Sequence, residues 1–215
     1  MIWTDISDEL LDMLEPYSEW FFQQDLTPLN ELAKNNPKNT DTMDNGCSTE
    51  YLHKVVEADG RHEGFPEISY SYDLKAGNLP GEFHDRYQNL STELCTWLGA
   101  RNEAVHVYYP TNGFMSWHNN WNAPGYNILL SYTKNGGGFF KYRDPKTHEV
   151  IEMLDTPGWS CKVGYYGRGR EPDKVYYHTA GTHEPRLTLG FVVPNLDIWQ
   201  SMIEDISGED ASHFS

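Results

Sequence analysis

From Ala104 onward the pattern of apolar and polar positions changes to short strands and turns. The segments VHVYYP, FMSWHN, YNILLSYT, GGFFKYRD, EVIEML, SCKVGYYG, KVYYHT and RLTLGFVV, between Val105 and Val193, are eight strand candidates, the last with a clear period of two. It is the pattern of strands whose successive side chains leave opposite faces. TNG, NAPG, KNGGG, DPKTH, DTPG, RGREPD and AGTHEP separate them and are rich in turn formers. Short strands at such regular intervals predict a double-sheet jelly roll, one of the arrangements by which β proteins limit open edges.

The first half reads differently. Leu10, Leu11 and Leu14 behind Ser7 predict a short helix from Ser7 to Leu14 with a serine cap, followed by an apolar anchor of Trp20, Phe21 and Phe22. Asn35 to Thr49 is dominated by turn formers and predicts a long surface loop. Ile68, Tyr70, Tyr72 and Leu74 alternate with Ser69, Ser71 and Asp73, which predicts one half-buried strand. Phe83, Tyr87, Leu90, Leu94 and Leu98 have helical spacing and lead to Gly99, so an amphipathic helix should lie on the outside of a sheet. A short helix is expected after Pro194. The expected class is mainly β with flanking helices, in one domain. Residues 1–103 flank a β core at 104–194, and 195–215 form a tail.

Composition narrows the function. Lys and Arg number 16 against 32 Asp and Glu, a formal charge of −16. Such a field repels phosphate backbones and argues against a duplex-binding protein, while leaving room for a small anion held by one local Arg. Cys47, Cys95 and Cys161 are sparse and without a CxxC pair, as expected of reduced thiols in the cytoplasm. The acidic start lacks a signal-peptide pattern, and no apolar run approaches a membrane span.

The candidate chemistry centres on MSWHNNWN. His118 and Asn120 are two apart and leave one face of an extended chain, and His178 follows sixty residues later. Neutral imidazoles suit iron, and two of them with a third ligand leave positions open on the metal. Arg186 offers a bidentate fork for a carboxylate, and Thr188 shares its face. If AGTHEP is the connecting turn, His178 and Arg186 fall on adjacent antiparallel strands. His183 rivals His178 as the distal imidazole, and Arg186 has a rival role in a surface ion pair with Glu184. His118 has an alternative as a packed residue between Trp117 and Trp121. Either Tyr108 or Tyr109 faces inward. Asn127 is a candidate for binding cosubstrate or substrate, and Trp117, Trp121 and Trp159 for lining a substrate mouth. Gly136, Gly137 and Gly138 read as a hairpin turn.

On these residues the segment from Val107 to Phe191 resembles the 2-oxoglutarate and Fe(II)-dependent oxygenase superfamily. His118-Asn119-Asn120, His178 and Arg186-Leu187-Thr188 follow the order of its His-x-Asp/Glu, distal His and Arg-x-Ser/Thr signature. Tyr109 stands where prolyl hydroxylases and DNA dealkylases of the superfamily carry a cosubstrate-binding Tyr. The run WHNNWNAPGYNILLSYTKNGGGFFKYRDP is also similar to small oxygenases of bacteriophages, which would place the chain in a host cytoplasm. The resemblance implies a double-stranded β-helix, the jelly roll of the cupins, with Fe(II) held by His118, Asn120 and His178. It implies 2-oxoglutarate and O2 as cosubstrates, with Tyr109, Asn127, Arg186 and Thr188 around the 2-oxo acid, and hydroxylation of a C–H bond as the reaction. The substrate classes are a peptide or protein side chain, a small molecule and, ranked lower, an unstacked base. The departure is Asn120, a neutral amide in the carboxylate position. It leaves three readings: a weaker but working oxygenase, a halogenase-like variant with an open iron position, and a degenerate site. Outside this reaction class stand a non-catalytic jelly-roll binding module and a cupin-like metalloprotein indifferent to 2-oxoglutarate.

Overall fold

Eight strands follow one another from Asn102 to Val193, as the sequence pattern predicts. The structure, a computed structural model, describes residues 1–58, 66–76, 79, 81–120, 124–167 and 171–208. In chain order the elements are β1 (Ile2–Thr4), α1 (Asp8–Gln23), α2 (Thr27–Lys34), α3 (Met43–Gly46), α4 (Thr49–Glu57), β2 (Ser69–Tyr70), β3 (Tyr72–Asp73) and α5 (Gly81–Trp97). The strand-rich half contains β4 (Asn102–Tyr109), β5 (Phe114–His118), β6 (Gly125–Thr133), β7 (Gly138–Arg143), β8 (Val150–Leu154), β9 (Gly158–Tyr166), β10 (Tyr177–Thr182) and β11 (Arg186–Val193), and α6 (Leu196–Ser207) follows.

Two antiparallel sheets result, one ordered β1-β9-β6-β11-β4-β3 and the other β2-β5-β10-β7-β8. From β4 onward the chain changes sheet at each connection except that between β7 and β8. This crossing back and forth is a jelly roll, so the fold is mainly β with flanking helices, as expected.

Alternation gives the larger sheet two unlike faces. Tyr108, Ile128, Leu130, Val163, Leu187, Leu189 and Phe191 join Leu10, Leu14, Phe21, Leu90 and Leu94 of the helices in one apolar core. Each such side chain contributes roughly 1.5–3 kcal/mol by leaving water. The intervening residues of the same strands, among them Tyr109, Asn127, Ser131, Lys162, Arg186 and Thr188, line a cavity between the sheets. One face therefore holds the fold together while the other sets these polar side chains among Val105, Val107, Leu129 and Val192.

Several elements differ from expectation. The first helix runs past Pro16 to Gln23 and takes in the expected anchor, because Leu10, Leu14, Tyr17 and Phe21 share one buried face that offsets the lost hydrogen bond. The expected loop from Asn35 to Thr49 contains α3, with Met43 and Cys47 packed on Phe114 and Phe139. Thr42 and Ser48, read as turn formers, cap α3 and α4 by accepting from the Asn45 and Tyr51 amides. The expected strand from Ile68 to Leu74 is two short strands, one in each sheet, broken at Ser71. Ser69 and Ser71 are buried there and share a 2.6 Å hydrogen bond. The helix over Phe83 to Leu98 forms as expected, and Gly99 takes φ +56°, the left-handed conformation suited to a glycine after a helix. Ala180 to Thr182 extend β10 rather than forming a turn, so only His183 to Pro185 connect it to β11. That short connection crosses between sheets, and β10 and β11 are not neighbours.

Candidate metal centre and anion cradle

Strands β5 and β10 pair so that His118 and His178 are direct cross-strand partners. Their ring centroids lie 4.2 Å apart. Nδ1 of His118 donates to the Ser116 carbonyl at 2.8 Å, and Nδ1 of His178 to the Tyr176 carbonyl at 3.1 Å. Each backbone bond selects the neutral tautomer whose lone pair sits on Nε2, the arrangement of an imidazole prepared for a metal. Burial pushes His178 down to about 4 against the raising effect of the Tyr176 carbonyl, so its ring is neutral at physiological pH. Phe140 stacks on His178, and Tyr166 meets it edge-on with centroids 5.1 Å apart. The buried Tyr166 hydroxyl lines the same cavity and has no hydrogen-bond partner among the described residues. A buried orphan hydroxyl on a ring packed against His178 suits a ligand that completes it.

Asn120, two residues past His118, is half-buried and lines this cavity. Among the described residues no cluster of three or more His, Cys, Asp or Glu side chains forms a metal site. Asn120 shares the cavity with the two imidazoles, and its side chain is a neutral amide.

The cavity measures about 680 Å³ and also receives Tyr109, Asn127, Arg186 and Thr188. Arg186 is 1% exposed. Its Nε donates to Asp155 Oδ2 at 2.6 Å, Nη1 to Thr188 Oγ1 at 2.6 Å and Nη2 to Ser131 Oγ at 2.9 Å. The guanidinium also lies over the Tyr109 ring, 5.3 Å from its centroid. Lys162, wholly buried on β9, donates to Asp155 Oδ1 at 2.6 Å, and its Nζ sits 4.1 Å from the centre of the Trp3 ring on β1. Burial alone would raise Asp155, but the two cations beside it hold the carboxyl down at about 2. Burial lowers Lys162 despite the raising effect of Asp155, whereas for Arg186 burial, the largest single influence, is overcome by Asp155 and Tyr109 acting together, which raise it. Burial likewise pushes Tyr109 up to about 12. Lys162 and Arg186 thus share one carboxylate, and with both protonated one net positive charge lies enclosed beside the cavity.

Seven expected site residues therefore meet in one place: Tyr109, His118, Asn120, Asn127, His178, Arg186 and Thr188. Tyr108 faces the other way, against Phe21 and Asn30. Asn127 donates to the Gly125 carbonyl of its own strand. His183 lies in the short β10–β11 connection, facing a different hollow near Gly137 and Phe139. Glu184 accepts from the Asn135 and Gly137 amides instead of pairing with Arg186. Trp117 does not line the cavity. Alternation turns it away from His118, into an apolar layer with Tyr51, Leu52 and Val55 of α4. Trp159 is also core, donating to Ser18 Oγ. Trp121 lies outside the described residues.

Asp155, Lys162, Ser131 and Tyr166 belong to the site and were missed. Asp155 was absorbed into the turn DTPG. Lys162 carried a legible signal, since a lysine amid the buried alternation of SCKVGYYG must face either a counter-ion or a polar cavity.

No family model matches the chain, and no curated protein matches it. Solved structures that resemble it include a prolyl-4-hydroxylase from Pseudomonas putida, at 13% identity and a TM-score of 0.33, covering 72% of this chain and 89% of that one. A prolyl hydroxylase from Trichoplax adhaerens in complex with a hypoxia-inducible-factor peptide fragment shares 13% identity at a TM-score of 0.36, covering 80% and 91%. A Drosophila melanogaster CENP-C structure bound to CAL1 shares 8% at a TM-score of 0.28 and covers 40% of this chain; the chain spans 56% of its length. These superpositions are too loose to carry a functional argument.

Proposed function

We propose that the protein is an Fe(II)- and 2-oxoglutarate-dependent oxygenase that hydroxylates a peptide or protein side chain or a small molecule. The observation that supports this most is one cavity holding a cross-strand imidazole pair with both Nδ1 atoms satisfied, together with a buried cluster of net positive charge. Bound there, Fe(II) and 2-oxoglutarate would supply O2 activation coupled to oxidative decarboxylation of the 2-oxo acid. His118 and His178 would hold the metal through Nε2, with the Asn120 amide as a neutral third donor. Arg186 and Thr188 would seat the distal carboxylate against the Tyr109 ring, and the Tyr166 hydroxyl would donate to a group beside His178. The apolar walls of Phe140, Leu129 and Val107 would limit water around the reacting centre. A peptide substrate is favoured by charge, because a surface of −16 attracts basic segments. The three free cysteines agree with a reducing cytoplasmic setting.

Release of succinate from 2-oxoglutarate, in the presence of Fe(II) and O2, tests the reading. Turnover that disappears in His178→Ala and survives in His183→Ala is the expected result. Wild-type protein that takes up Fe(II) yet releases no succinate would contradict it. The neutral donor set favours one second reading, a metalloprotein of cupin type indifferent to 2-oxo acids, and that same outcome is its signature.

A further inference from the structure

The cluster behind the imidazoles contains more than an arginine that grips a carboxylate. Asp155, on the connection between β8 and β9, lies against the Nε edge of Arg186 and alone would neutralise it. Lys162 approaches the other oxygen of the same carboxylate at 2.6 Å. All three side chains are buried to within 1%. The packing of this trio is close: a Cβ added at Gly138 would fall on Asp155 Oδ2 and within 2.8 Å of Arg186 Nε. Lys162 is closed off on its other side by the Trp3 ring. An enclosed excess of one positive charge is costly to leave unmatched, whereas a carboxylate entering the cavity would balance it. Thr188 and Ser131 accept from the guanidinium, and both line the cavity.

We propose that Lys162 is a positioning residue that, by sharing Asp155, keeps the cluster at one net positive charge and so leaves Arg186 a charge to offer the distal carboxylate of a dicarboxylic 2-oxo acid. This rests on the oxygenase reading and extends it, for it predicts which charge balance selects the cosubstrate. With Lys162 removed, Arg186 and Asp155 cancel and the cradle becomes neutral. With Lys162 and Asp155 both removed, Arg186 again carries one uncompensated charge. Selectivity should therefore follow the sum of charges.

The test is calorimetric binding, without turnover, of 2-oxoglutarate and of 2-oxobutyrate, which lacks the distal carboxylate, to the anaerobic Fe(II)-loaded protein. Wild type should prefer 2-oxoglutarate by about tenfold or more, the scale of a buried charge-assisted contact. Lys162→Met should bring the two ligands to within about threefold. The double variant Lys162→Met/Asp155→Asn should regain most of the preference, and Asp155→Asn alone should keep or increase it. If Lys162→Met fails to fold, the other two variants decide: loss of the preference in either one overturns the proposal. An unchanged preference in folded Lys162→Met overturns it as well and leaves the oxygenase reading standing. Equal affinity of wild type for both ligands would remove that reading and the proposal with it.

Discussion

His118 and His178 were legible as residues because histidine, spacing and order restricted the choices. The structure adds what spacing could not: a direct register match and two backbone carbonyls that set the tautomers. Replacing either with Ala should abolish Fe(II) binding measured by metal titration, and His183→Ala should leave it unchanged. Asn120→Asp should tighten Fe(II) by about tenfold or more, since it adds a charge to a neutral donor set. Asp155 gives a pH prediction. Its folded-state value of about 2 lies below the ordinary 3.8, so its contribution is present above pH 3.8 and is lost as pH falls through about 2. The shift corresponds to roughly 2 kcal/mol. Unfolding free energy measured across that window should fall less steeply in Asp155→Asn than in wild type. At this scale the missed residues, Asp155 and Lys162, are charges in turn-like or strand-like stretches whose meaning depends on partners distant in sequence.

The strands were legible because short apolar runs between turn formers keep their signature whatever the partner, even where, as in β11, both faces are buried. Helices α2 and α4 were less so, being short and polar, with capping residues that also suit loops. The pairing of strands was not legible locally. Reading AGTHEP as a hairpin turn placed β10 beside β11, whereas three residues suffice to carry the chain from one sheet to the other. Strand alternation also settles Trp117. Its side chain leaves β5 on the face opposite His118 and fills the layer beneath α4. Trp117→Ala should cost about 3–5 kcal/mol in denaturant unfolding, with little change in metal affinity of the protein that remains folded. A large loss of metal affinity with undiminished stability would place that ring in the cavity instead. On β1, Trp3→Ala should cost about 1 kcal/mol or less, as its ring is partly exposed and its contact with Lys162 is a single cation–π pair.

For the whole molecule, the apolar and polar faces of one sheet divide the work. The outer face packs against helices, and the inner face can carry polar chemistry without weakening that core. The fold class was readable because eight short strands and their turns leave few arrangements, and the helix over Phe83 to Leu98 lies on the outside of a sheet as its spacing predicts, while the other flanking helices had to be seen to be placed. No described helix is long and apolar enough to cross a membrane. The excess of acidic residues makes a further expectation: binding of a basic peptide should weaken steeply as salt rises, whereas an acidic peptide of equal length should not bind.

The most direct measurement is the visible charge-transfer absorption of the anaerobic protein with Fe(II) on addition of 2-oxoglutarate. A band that grows in with the 2-oxo acid, is absent from His118→Ala and His178→Ala, and persists in His183→Ala is the result this account predicts. Its absence from wild type, or its survival when both cross-strand imidazoles are gone, would contradict the account.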